Sequence, residues 1–131
     1  MKNITKQMIK IYKPNGICWL GYRITKDNAN FHHLIKKENG GEQTINNGAI
    51  LSEVGHRYLH IIESKEIHLY LAINEVLKII NKQGYAPTEE QYRIINRLLL
   101  SFEEEHIKDK TSKNKLLIKY QYLDRVTRYL I

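Results

Sequence analysis

Four of the six histidines of this 131-residue chain fall between positions 32 and 60, as the pair His32-His33 and then His56 and His60. A neutral imidazole binds divalent transition ions, and its ordinary pKa near about 6.5 also lets it take a proton from water at neutral pH. A set of four can therefore hold one ion and keep one ring to activate water. His56 and His60, in GHRYLH, are four residues apart, so on a helix they project from one face, one turn apart. His32 and His33, in NFHHLI, sit on a short extended run, where neighbours point to opposite faces. One of them can bind metal while the other faces substrate.

The elements that must carry these residues are legible in the pattern. KPNG (13–16) is a turn signal. The runs QMIKIY and ICWLGYRI on either side are compatible with the strands of a basic N-terminal hairpin, with a helical first turn as the alternative for the former. NFHHLIKK reads as a strand, KENGGEQTINN as a loop made flexible by Gly40-Gly41, and GAILS as a short buried strand. From Glu53 the spacing turns helical, with Val54, Tyr58, Ile61 and Ile62 on one side. The rest is helical: 65–82 stopped by Gly84, 89–106 opened by a Thr88/Gln91 capping box, and a last amphipathic helix at about 114–130. In that last helix Leu116, Tyr120, Leu123, Val126 and Leu130 face inward and Lys119, Arg125 and Arg128 outward. The expected fold class is α+β, one compact domain with residues 1–64 as a mixed core and 65–131 as a helical extension packed on it.

Over residues 17–64 the chain resembles the HNH, or ββα-metal, endonucleases, in the variant with histidine pairs that colicin-type nucleases carry. The order HH, GG, Asn, His and then His four positions on, on strand, loop, strand and helix, carries the resemblance. It implies His33 as general base, Asn47 as the residue that holds the loop and orients His33, and His32, His56 and His60 as ligands of one divalent ion. Asn46 is the alternative to Asn47, which is preferred because it directly precedes GAIL. An imidazole shell suits Zn, Ni, Co or Mn better than Mg, although added waters admit Mg. Where many members carry paired CxxC motifs, this chain has Cys18-Trp-Leu-Gly21 and Ser52-Glu-Val-Gly55, so no structural zinc is expected. The small motif must then be held by packing, with Trp19 and Tyr22 contributing. Cys18 is read as a small buried apolar residue.

The activity implied is metal-dependent hydrolysis of DNA phosphodiester bonds. The alternative is a non-cleaving HNH-fold binding protein, such as a phage or mobile-element factor that inhibits a host defence nuclease, anti-CRISPR-like, with the helical half as its protein-docking part. A helical DNA-binding regulator ranks third, because it leaves the histidines unexplained. The net charge of +7 is uneven. Residues 1–31 hold six Lys/Arg against one Asp, 107–131 seven against two, and the middle eight against eleven acids. Basic ends suit a polyanion such as DNA, or are simply solvated. Lys36, Lys37 and Arg57 are candidate phosphate contacts beside the motif, with solvated loop and helix charges as the plain alternative; Lys119, Arg125 and Arg128 extend the basic surface. His68 and His106 lie outside the motif and are read as hydrogen-bonded core residues. No segment is long and apolar enough for a bilayer, and the start lacks the apolar run of a secretory signal, so the expectation is a soluble cytoplasmic protein. Oligomeric state is left open by the sequence.

Overall fold

The computed structural model describes residues 3–24 and 28–107. Its order is α1 (Asn3–Tyr12), β1 (Ala29–His33), β2 (Gly48–Ser52), α2 (Glu53–Lys65), α3 (Ile67–Gln83) and α4 (Glu89–Ile107), with 3-10 turns at Lys37–Asn39 and Ile45–Asn47. The protein is α+β and mostly helical among the described residues. The helix expected at 114–130, with Lys119, Arg125 and Arg128, lies outside them. No described helix is long and apolar enough to cross a membrane.

The expected N-terminal hairpin is replaced by a helix and an irregular segment. Thr5, Met8 and Tyr12 are the buried residues of α1, and their spacing of three and four is the period of a helix face, not a strand. Pro14 ends it: the residue before a proline is pushed away from helical backbone, and Lys13 takes φ 49°. In ICWLGYRI the chain makes a tight turn, with the Gly21 amide donating to the Cys18 carbonyl and the Cys18 amide to Tyr22. One isolated bridge, Ile17 to Arg23, is what remains of strand pairing there. Trp19 donates its amide to the Ile50 carbonyl, which ties this segment to β2. Cys18, Trp19 and Tyr22 are buried, as expected.

β1 and β2 form a two-stranded antiparallel sheet, with Ala29 opposite Ser52 and His33 opposite Gly48. The chain turns directly from β2 into α2, whose N-terminus is capped by Ser52 Oγ accepting from the Gly55 amide at 2.9 Å. Such a cap satisfies one of the donors that the first helical turn leaves unpaired.

Two isolated strands cannot bury enough surface to stand alone, and the helices supply the rest. α3 packs on α2, on β2 and on the turn before β2, and α4 packs on α3. Ile73, Leu77 and Ile80 of α3 and Ile95, Leu99 and Phe102 of α4 are fully buried with Ile50, Leu51, Leu59 and Ile62. Each such side chain stabilises the fold by about 1.5–3 kcal/mol through removal of apolar surface from water. The helix stops and starts expected from the sequence are present. Gly84 caps α3 at φ 80°; Thr88 and Gln91 exchange backbone-to-side-chain hydrogen bonds at 2.9 and 3.2 Å at the head of α4.

Candidate metal centre

The end of β1 and the first two turns of α2 bring four histidines to one pocket. It has a volume of about 240 Å³ and is lined by His32, His33, Lys36, Lys37, His56, His60 and Tyr70. His56 and His60, one turn apart on α2, point their Nε2 atoms at each other across 3.1 Å. His32 stands behind them, 2% exposed, with its ring centroid 5.5 Å from that of His56 and 6.4 Å from that of His60. His33 follows it out of the strand, half-buried, its ring edge-on to Phe31 at 4.9 Å. The opposite-face rule therefore separates the two rings by depth more than by site: both border the same pocket.

Hydrogen bonds decide which nitrogen each ring presents. His60 Nδ1 lies 3.2 Å from Glu63 Oε1. Burial works against ionisation of Glu63, but its bonds to Lys36 and His60 outweigh that and hold its pKa below the usual value. An ionised carboxylate only accepts, so in a neutral His60 the proton sits on Nδ1 and the Nε2 lone pair is turned toward His56. Two lone pairs facing each other repel, so either His56 Nε2 donates to His60 Nε2 or both nitrogens converge on a cation. The 3.1 Å separation is close to the roughly 3.3 Å between two nitrogens that share a tetrahedral ion at about 2.0–2.1 Å each. The spacing suits a shared ion as well as a direct hydrogen bond, and Glu63 Oε1 against His60 Nδ1 stands where metal-bound imidazoles commonly have an outer carboxylate.

Burial lowers the pKa of His32 to about 4, against the opposing effect of a hydrogen bond from His32 Nε2 to Asn74 Oδ1 at 2.9 Å. Burial likewise takes His56 to about 4, helped by the nearby His60 and His33. Both rings are neutral at pH 7, which is the form that binds metal.

Asn47 closes the loop between the strands. Its Oδ1 accepts from the Ile35 amide at 2.7 Å, and its Nδ2 donates to the carbonyls of Ile35 and Glu42 at 3.0 and 2.9 Å. The Leu34 amide donates to the Asn47 carbonyl. Asn46, the alternative weighed from the sequence, is exposed. Gly40-Gly41 is a built turn and not a flexible spacer: Gly40 takes φ 89°, and the Ile35 carbonyl and Asn47 Nδ2 fill the space a Cβ on Gly41 would need.

Lys36 reaches the pocket already paired. Its Nζ binds Glu63, lies 3.7 Å from Glu38 and sits 5.9 Å from the centre of the Tyr70 ring; the bond to Glu63 raises its pKa. Lys37 is exposed at the pocket rim. Arg57 does not line the pocket; it pairs with Glu53 one turn back on the solvent side of α2. That is the plain reading of Arg57, a solvated helix charge. His68 is exposed and so is not the core histidine expected, because the α3 face that carries it is turned to solvent. His106 is half-buried, stacked on Phe102 at 4.3 Å and bonded to Glu66 at 3.1 Å.

Among the described residues, Glu66, Glu105 and His106 form the trio whose ligand atoms all lie within 4.8 Å of one another. The His32, His56 and His60 nitrogens do not form so tight a set: the His56 and His60 Nε2 atoms face each other at 3.1 Å, and the His32 ring stands farther off, with its Nε2 bonded to Asn74. Sequence reasoning did not find Asn74, Glu63 and Tyr70. For Asn74 a signal existed: it shares the buried side of α3 with Tyr70, Ile73 and Leu77, and a buried amide must have partners.

No family model, no curated protein and no solved structure matches the chain.

Proposed function

We propose that the protein is a metal-dependent, HNH-like endonuclease that hydrolyses DNA phosphodiester bonds, with β1, β2 and α2 as its ββα-metal core. The observation that carries this reading is the facing pair of His56 and His60 Nε2 atoms at 3.1 Å in the same pocket as His33. His56 and His60 would hold one divalent ion, Zn, Ni, Mn or Mg, with His32 as the further ligand. That ion would supply Lewis-acid stabilisation of charge on the phosphate and the leaving oxygen.

The chain's own residues supply the rest. His33, half-buried at the pocket, takes the proton from the attacking water. Asn47 holds the loop that follows His33 by fixing both polar backbone atoms of Ile35, so its role is orientation and not contact with substrate. Lys37, at the rim, offers a cation to the nucleic-acid backbone. Lys36 is committed to Glu63 and acts as part of the support of His60.

The test is conversion of supercoiled plasmid to nicked or linear form by the purified chain with Mn, Ni, Zn or Mg. Activity should be lost in His33→Ala while metal content is retained. A wild-type chain inert with all four ions overturns the hydrolase. The non-cleaving binding reading would then be carried by one stoichiometric protein partner whose binding survives His33→Ala.

A further inference from the structure

Asn74 comes from α3, outside the segment whose pattern points to a metal site, and its side chain is 4% exposed. Its Nδ2 donates to the Leu34 carbonyl at 2.9 Å. A carbonyl only accepts, so the orientation of the amide is fixed and Oδ1 is the atom turned to His32. Oδ1 in turn only accepts, and His32 Nε2 lies 2.9 Å from it. The proton between them must belong to His32. A neutral imidazole has one N–H, which leaves the Nδ1 lone pair unprotonated.

We propose that Asn74 is a positioning residue that locks His32 in its Nε2–H tautomer, so that Nδ1 is the atom His32 offers to a divalent cation. The inference rests on the metal-binding part of the reading above and extends it to a third helix. It also gives α3 a part in the site beyond packing. The two partners of Asn74, His32 and Leu34, flank His33 in sequence, so one amide fixes the ring behind the general base and the backbone just after it. Glu63 does the same for His60 through Nδ1. The two locks are of opposite sense: His32 keeps its proton on Nε2 and His60 on Nδ1. An outer hydrogen bond that fixes tautomer and ring orientation typically changes metal affinity by about 10–100-fold when removed.

The experiment is long-range proton–nitrogen NMR of the histidine rings in chelator-treated protein, with His32 assigned by its loss in His32→Gln. It is paired with calorimetric titration of Ni(II) and Mn(II) into wild type, Asn74→Leu and Asn74→Asp. The expected result is a protonated Nε2 at His32 in wild type, a mixture of tautomers in Asn74→Leu, and Ni(II) affinity lower by about 10–100-fold in that variant. Asn74→Asp keeps an acceptor for His32 Nε2 but loses the donor to the Leu34 carbonyl, so it should keep the Nε2 proton while holding the ring less firmly. A wild-type His32 protonated on Nδ1 overturns the proposal, and so does an Asn74→Leu chain with unchanged tautomer and unchanged affinity. Should Asn74→Leu fail to fold by circular dichroism, the wild-type ring in chelator-treated protein decides: Nε2–H with Nδ1 unprotonated supports the proposal and Nδ1–H overturns it. A chain that binds Ni(II) with His32 in the Nε2–H form yet leaves plasmid uncut keeps this inference and removes the hydrolase. One that cuts plasmid with His32 in the Nδ1–H form does the reverse.

Discussion

Asn74 and Asn81 stand seven residues apart on the buried side of α3, and their amides grip opposite ends of the loop that joins the two strands. Asn74 holds the Leu34 carbonyl where the loop begins. Asn81 donates to the Ile45 and Gly48 carbonyls, both at 2.7 Å, where it ends. The Asn81 backbone carbonyl accepts from the Tyr12 hydroxyl at 2.6 Å, which fastens α1 to the same place. A loop that lies between a general-base candidate and a buried strand is thereby held from behind by a helix.

Asn81→Leu should destabilise the protein by about 1–3 kcal/mol, because it removes the side-chain donor from the buried Gly48 carbonyl and leaves the Ile45 carbonyl only the Gly48 amide. Urea unfolding followed by circular dichroism measures this. A change below about 0.5 kcal/mol would mean that water satisfies those carbonyls.

The two adjacent glycines should respond differently to alanine. Gly40→Ala meets open space and bears only the strain of its positive φ, about 1 kcal/mol. Gly41→Ala drives a methyl group into the Ile35 carbonyl and Asn47 Nδ2, so the loop must move and the Asn47 bonds to Ile35 must lengthen. Its loss of stability should be the larger by at least about 1 kcal/mol. Thermal unfolding of the two variants side by side checks the order, and equal losses would count against a fixed turn.

Stability of the metal-free protein should fall on mild acidification. His32 and His56 have pKa values of about 4 in the fold, against about 6.5 in an unfolded chain. Between those values the unfolded chain binds protons that the fold refuses, so stability is full above about pH 6.5 and is lost as pH drops toward 4. His32, buried, accounts for about 3 kcal/mol of this over the whole window, and the partly exposed His56 for less. Glu63, whose pKa is lowered in the fold, adds to the loss below its unfolded value, in the same direction. Urea midpoints at pH 7.5, 6 and 5 in the presence of chelator give the slope; a flat line would show that these rings are not buried neutral.

Metal content should divide the histidines by role. His56→Ala and His60→Ala should each reduce bound Ni(II) or Mn(II) from one ion per chain to a trace, since each removes one member of the facing Nε2 pair. His33→Ala should leave the ion in place. Elemental analysis after dialysis reads this directly, and equal retention by all three variants would show that the pair is held by a hydrogen bond alone.

What the sequence by itself determined is local. The GAILS strand, the helix starting at Glu53 and the capping of α3 and α4 depend on spacing and on residues a few positions apart, such as Gly84, Thr88 and Gln91, and they stand where the pattern put them. The His56/His60 pair belongs to the same class, because four residues on a helix make one turn. The first twelve residues read differently, since a short run such as QMIKIY satisfies both periods and only burial of Met8 and Tyr12 against the rest selects the helix. Tertiary structure alone decided the contents of the site beyond its own segment. Asn74 and Tyr70 lie about forty positions from His32 in sequence, and the choice of protonated nitrogen on His32 depends on a carbonyl that Asn74 meets only after α3 has packed. Spacing encodes which side chains share a face of one element; it carries no record of which face of another element closes over them.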